Sequence, residues 1–230
     1  MMKFEYFAGE QRTKPWYDLR LGKPTASRLV DWLAVSKAKT GAGKPLKARL
    51  DYEKELIFER KFGVAFEHYV NSAMQDGIDF EDFLLRQYEK EKGVTVTPVG
   101  AWYNDAFLAS PDGGVNDEGI VEAKVLKDNS FADVLVDGVP DKHWKQMQGQ
   151  LFASGRKWCD YIAGNLATKK FKVIRVLPDP EFFEYLELAL QEKLVTAEFS
   201  DEALYDFADV VPEGEHPKVD GDKSDSNFGF

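Results

Sequence analysis

The sequence predicts a mixed α/β protein, a central sheet flanked by helices. Two observations carry this. Segments of helical and of strand periodicity follow one another in the order helix, three strands, helix, one or two strands, helix. Apolar residues make up 43% of the 230-residue chain, enough for a sizeable core.

Each element can be justified in turn. Thr25 or Ser27 can cap a helix through 28–33. SKAKTGAGKP then reads as a flexible basic loop; its Gly-Ala-Gly-Lys lacks the spacing of a phosphate-binding loop, and Pro45 follows the lysine. From Asp51 to about Gln75, Leu56, Ile57, Phe62, Phe66, Tyr69, Val70 and Ala73 recur at helical spacing, with a break near Gly63 and Glu67 beside the stripe. Strands are expected at 94–103, 106–110 and 119–126. A helix over 141–154 follows, then strands at 159–163 and 171–177 and a helix over 181–207. Residues 1–211 are expected to form one domain, and 212–230, rich in Gly, Pro, Ser and Asp, a disordered acidic tail.

The charge is uneven. The formal net charge is -10, but residues 201–230 hold nine acids against two lysines, and without them 31 acids face 28 bases. Lys37, Lys39, Lys44, Lys47 and Arg49 lie in a stretch, 32–50, that has no acid. A near-neutral body with a basic loop leaves a nucleic-acid partner open where the total alone argues against one. One cysteine, Cys159, excludes an intrachain disulfide and a Cys-ligated cluster and reads as a core thiol. No apolar run has the length of a signal peptide or a membrane span, so an intracellular, cytoplasmic protein is expected.

The chemistry concentrates in LASPDGGVNDEGIVEAKVL. Residues two apart on a strand share a face, so Glu122 and Lys124 point one way and Val121, Ala123 and Val125 the other. If the strand ending at Ser110 lies beside that of Glu122, Asp112 comes to the mouth of the same face. Two carboxylates suit a hard divalent cation such as Mg2+, and a neighbouring ammonium can orient a water for attack on phosphorus. A Pro-Asp-Gly turn beside a solvated edge strand would give the same pattern. On the helix over 141–154, Gln148 falls within the stripe of Trp144, Met147, Leu151 and Phe152, whereas Gln146 and Gln150 point elsewhere. A buried Gln148 needs partners, either core groups or a phosphate or water.

Six short motifs occur in order: Trp16 to Gly22 (WYDLRLG), Thr25-Ala26-Ser27, Gly63 with Glu67, Ser110-Pro111-Asp112-Gly113, Glu122-Ala123-Lys124, and Gln146-Met147-Gln148. Together they resemble the phage lambda exonuclease family of YqaJ-like viral recombinases. The resemblance implies the PD-(D/E)xK restriction-endonuclease-like fold and an exonuclease that degrades one strand of duplex DNA from the 5' end, leaving 3' overhangs for recombination by strand annealing. It implies that Asp112, Glu122, the Ala123 carbonyl and Glu67 hold two Mg2+ ions, or Mn2+, and that Lys124 positions the attacking water. Arg20, Ser27, Ser110 and Gln148 would hold the 5'-terminal phosphate. A ring-shaped homotrimer threaded by DNA and a single-strand annealing partner are implied as well. Trp16 and the loop from Lys37 to Arg49 are candidates for DNA contact. His68 is set aside as a ligand because adjacent helix positions point about 100° apart. The acidic tail ending in Phe228-Gly229-Phe230 would suit a weak contact with a recombination partner or with the protein's own channel. An endonuclease of the same fold and a non-catalytic DNA-binding module are the rival readings.

Overall fold

The computed structural model describes residues 2–66 and 72–192. Glu67, His68 and the acidic tail lie outside the described residues, as does the expected helix beyond 192.

Among the described residues, seven strands form two sheets. β1 (Glu5–Phe7), β2 (Ala101–Tyr103) and β3 (Leu108–Ala109) pair antiparallel in that order. β4 (Gly113–Val115), β5 (Gly119–Leu126), β6 (Trp158–Asn165) and β7 (Lys170–Val176) form the second, mixed sheet, in which β5 and β6 run parallel and the outer pairs antiparallel. A parallel pair needs a crossover. Here it is made by α5 (Asp128–Asp137) and α6 (Asp141–Ser154), whose Phe131, Val134, Met147 and Leu151 pack with Ile120 and Tyr161 on one face of the sheet. Met147 and Leu151 are fully buried, each contributing about 2 kcal/mol by apolar transfer. On the opposite face, Leu84 and Tyr88 of α4 (Ser72–Lys92) pack on Val121, Ala123 and Ile162. Alternation along β5 thus feeds two cores, as the period-2 pattern implies.

Two strand expectations are corrected. The strand expected at 94–103 shrinks to β2, because its first part touches the second sheet only through the bridge Thr97 to Gly114. The strand before Pro111 does not flank β5 but belongs to the first sheet. Proline has no N–H for a ladder, so pairing stops at Ala109 and restarts at Gly113, opposite Val121. Asp112 still reaches the Glu122 strand, through β4.

The remaining helices close the body. α1 (Lys14–Arg20) is followed by a 3-10 turn (Ala26–Arg28) and α2 (Leu29–Trp32), where one helix over 28–33 was expected. α3 (Lys47–Phe62) ends in a left-handed Gly63, φ 66°, as the expected break requires. α7 (Pro180–Gln191) starts at Asp179, whose side chain accepts from the Phe182 amide. Gly149 allows α6 to meet α2 closely, since a Cβ there would stand 2.5 Å from Leu29 Cδ1. Among the described residues no helix is long and apolar enough to cross a membrane.

The basic loop is an ordered hairpin in which the Ser36 amide donates to Lys44 O and the Gly43 amide to Ser36 O. Lys37, Lys39 and Lys44 are exposed on it. Arg49 is not part of that surface: it is buried in α3, paired with Glu53 and Glu192.

Candidate active site

β4 pairs with β5 only through Val121, so the next amide on that edge, Ala123 N, lacks a strand partner. The Asp112 carboxylate takes its place, accepting from Ala123 N at 2.7 Å, while the Asp112 amide donates to Val121 O at 3.1 Å. A strand residue projects its N–H and C=O to the same edge, which directs the Ala123 carbonyl toward Asp112 as well.

Glu122 and Lys124 share a face, as the pleat predicts, and their side chains pair at 2.5 Å. Glu122 is buried under α6, where Gln146 Nε2 donates to Oε1 (2.5 Å) and Gln150 Nε2 to Oε2 (2.6 Å). The expectation that Gln146 and Gln150 point elsewhere is therefore overturned: four residues apart on a helix, they share one side, and that side covers Glu122. Gln148 projects away from it. Its Nε2 donates to Leu177 O (2.8 Å) and its Oε1 accepts from Asp179 N (2.9 Å), so it serves as a satisfied core amide tying α6 to the start of α7.

The electrostatics bind a further carboxylate to this group. Burial, with the charge of Asp112 adding to it, pushes Glu122 up to about 7. Burial and then Asp112 do the same to Glu81 on α4, also to about 7. Burial disfavours the charge on Lys124, but Glu122, Asp112 and Glu81 outweigh it and hold the ammonium protonated. Glu81 was missed in the sequence. Its signal is an acid on an apolar stripe: Leu84, Leu85 and Tyr88 follow it at three, four and seven residues, and all three pack into the core beneath β5. Next to the site, His143 Nδ1 and Tyr161 OH share a 2.6 Å hydrogen bond; burial and then Lys124 and Lys142 lower His143 to about 4.

These donors fit a hard divalent cation. The charge of Asp112 raises the cost of ionising both Glu122 and Glu81, which a cation relieves. Gln150 Oε1 is buried beside Glu122 without a partner, a spare oxygen for a bound water. Among the described residues no three acidic, His or Cys side chains enclose an ion by themselves. Mg2+ does not require that, since it keeps several waters and takes substrate phosphate oxygens.

A second cavity, ≈ 320 Å³, brings Arg20 and Ser27 together with Thr25 and Tyr52. The Arg20 guanidinium lies 4.3 Å over the Trp16 ring, and burial lowers its pKa. Trp16 itself is buried, so its ring supports Arg20 from the core side. Arg28, at the same cavity, is spent on Asp31 and Glu55. Leu108 of β3 bridges to Thr25, and the chain then passes through Ser110 to Asp112, linking this cavity to the carboxylates; neither Ser110 nor Gln148 lines it.

Comparison with known proteins follows from this geometry. The family model described as YqaJ-like viral recombinase domain matches residues 15–157. Among solved structures, an alkaline exonuclease (LHK-Exo) from Laribacter hongkongensis is 32% identical, with a TM-score of 0.67 over 77% of this chain and 89% of that one. The same enzyme in complex with dAMP matches equally. A phage-related exonuclease from Haemophilus somnus 129PT, 14% identical with a TM-score of 0.62 over 73% of this chain and 90% of that one, shares the fold. No curated protein matches the chain.

Proposed function

The chain belongs to the YqaJ-like viral recombinase domain family, and on that footing we propose that it is a DNA exonuclease, using Mg2+ or Mn2+, that digests one strand of duplex DNA from the 5' end. The 3' overhang it leaves would be substrate for a single-strand annealing protein in the cytoplasm. The observation that carries the reading is the clustering of acids about Lys124: Glu122 pairs with it, and Asp112, held on the Ala123 amide, lines one cleft with Glu81.

Asp112, Glu122, the Ala123 carbonyl and Glu81 would hold the metal. A divalent cation there supplies Lewis-acid stabilisation of the charge that builds on a phosphodiester under attack. The chain's own groups do the rest. Gln146 and Gln150 lock the Glu122 carboxylate in one rotamer. Lys124, kept charged by its three acidic neighbours, serves as a donor that orients water or meets the developing negative charge, and not as a base. Arg20, backed by Trp16, with Ser27 beside it, offers a fork and a hydroxyl to a terminal phosphate. The exposed Lys37, Lys39 and Lys44 suit the backbone of the incoming duplex. Assembly as a ring-shaped trimer would keep the enzyme on one strand.

The test is release of label from linear duplex carrying it at the 5' or the 3' end, with and without a 5' phosphate, in Mg2+. Early release of the 5' label, preference for the phosphate and loss of activity in Lys124→Ala are expected. Cleavage of closed circles, or none of linear DNA, would remove the exonuclease reading.

A further inference from the structure

A left-handed, non-glycine residue borders the active site. Three non-glycine residues hold positive φ: Arg12 (64°), Asn116 (50°) and Lys169 (56°). Asn116 and Lys169 sit in the turns between β4 and β5 and between β6 and β7, where a tight reversal demands it. Arg12 lies in the turn that leads into α1, at a left-handed position where glycine is the residue without a steric cost.

The surrounding segment is clamped. Gln11 Nε2 donates to the carbonyls of Val99 (2.9 Å), Gly100 (3.2 Å) and Pro111 (2.7 Å), the last being the residue before Asp112. Thr13 Oγ1 closes the turn onto Glu10 O at 2.8 Å. Gly100 admits the passing backbone, since a Cβ there would lie 1.9 Å from Phe7 O. So held, Arg12 lines a cleft of ≈ 620 Å³ together with Gln11, Glu81 and Asp112. Its side chain is 53% exposed, and its acidic neighbour Glu81 is 3.7 Å away, too far for a good hydrogen bond. A guanidinium with donors to spare is thus fixed at the mouth of the carboxylate group.

We infer that Arg12 is a substrate-binding residue of this cleft, contacting a phosphodiester of the DNA strand presented to Asp112 and Glu81. The inference rests on the reading of the cleft as a nuclease site. Glu81, 3.7 Å away, would attract the arginine without engaging its donors, leaving them for the phosphate. Among the described residues lining the cleft, which include Glu10, Glu81, Asp82 and Asp112, Arg12 is the one cation, so a phosphodiester entering there meets its charge first.

The experiment measures binding of a 5'-phosphorylated duplex by fluorescence anisotropy across a salt series, with Ca2+ in place of Mg2+, for wild type, Arg12→Gly and Arg12→Lys. Arg12→Gly relaxes the backbone, so its melting temperature should equal or exceed that of wild type. Its affinity should fall about tenfold, and the slope of log affinity against log salt should become shallower by about 1, one phosphate contact fewer. Arg12→Lys should keep the wild-type slope. An unchanged slope in Arg12→Gly, or the same loss of slope in Arg12→Lys, overturns the inference, since the first shows no contact and the second that the slope does not follow the charge at this position. A wild type that binds and cleaves duplex isolates that failure from the proposed function; a wild type that does neither sinks both.

Discussion

The Asp112 carboxylate accepts a hydrogen bond from the Ala123 amide at 2.7 Å and so completes the β5 edge where β4 has ended. An acid of the proposed metal site is thereby also a strand terminator. Asp112→Ala should strip the site of a ligand and leave a backbone N–H unpaired, costing about 1–3 kcal/mol in urea unfolding as well as activity. Asp112→Asn, which keeps an oxygen acceptor, should recover most of the stability and little of the turnover. Equal stability of both variants would show that the bond contributes nothing.

Lys124 and Glu122 form a buried pair. Lys124→Met should lower turnover by at least about 100-fold, the scale of losing one preorganised donor. It should also destabilise the fold, because Glu122 would lose its counter-charge under α6. A single-turnover assay with retained rate would remove the donor role.

The three α6 glutamines divide sharply. Gln146→Ala and Gln150→Ala should raise the Mg2+ concentration needed for half-maximal activity by about 10-fold or more, as loss of a group orienting a metal ligand does. Gln148→Ala should leave the kinetics near wild type and lose about 1–3 kcal/mol of stability, since Leu177 O and Asp179 N lose their partner. A phosphate-end defect in Gln148→Ala would restore the role that the family resemblance implied for it.

Glu81 and Glu122 both stand at about 7 in the fold, above the ordinary 4.5. A raised folded value means that their stabilising contribution is present below about pH 4.5 and is lost as pH rises through about 7. The metal-free protein should therefore melt lower at pH 8 than at pH 5. Mg2+ should raise the melting temperature more at pH 8 than at pH 5. Glu81→Gln should flatten part of this dependence, and an identical profile in that variant would detach Glu81 from the group.

Arg20 lies over Trp16 with Ser27 in the same cavity. Arg20→Lys keeps the charge but loses the fork, and should reduce the preference for 5'-phosphorylated over 5'-hydroxyl ends by about 10-fold. Equal preference in both proteins would place the end-binding site elsewhere.

The sequence by itself determined the alternation along β5, the span of α6, the break at Gly63 and the pairing of Glu122 with Lys124. Each follows from a period or a turn that local residues impose whatever surrounds them. Its reading failed where a choice depended on what lay opposite. Whether Gln148 or the pair Gln146 and Gln150 meets Glu122 depends on how α6 is rotated over the sheet, and Gly149 against Leu29 helps set that rotation. Whether Asp112 arrives from β3 or from β4 depends on where Pro111 breaks the ladder between two sheets. Glu81 and Arg12 are distant in sequence from Asp112, and only the tertiary structure brings them to it. Periodicity reports which side of an element is buried; it carries no information about the neighbour that buries it, and a site assembled across elements is made of such neighbours.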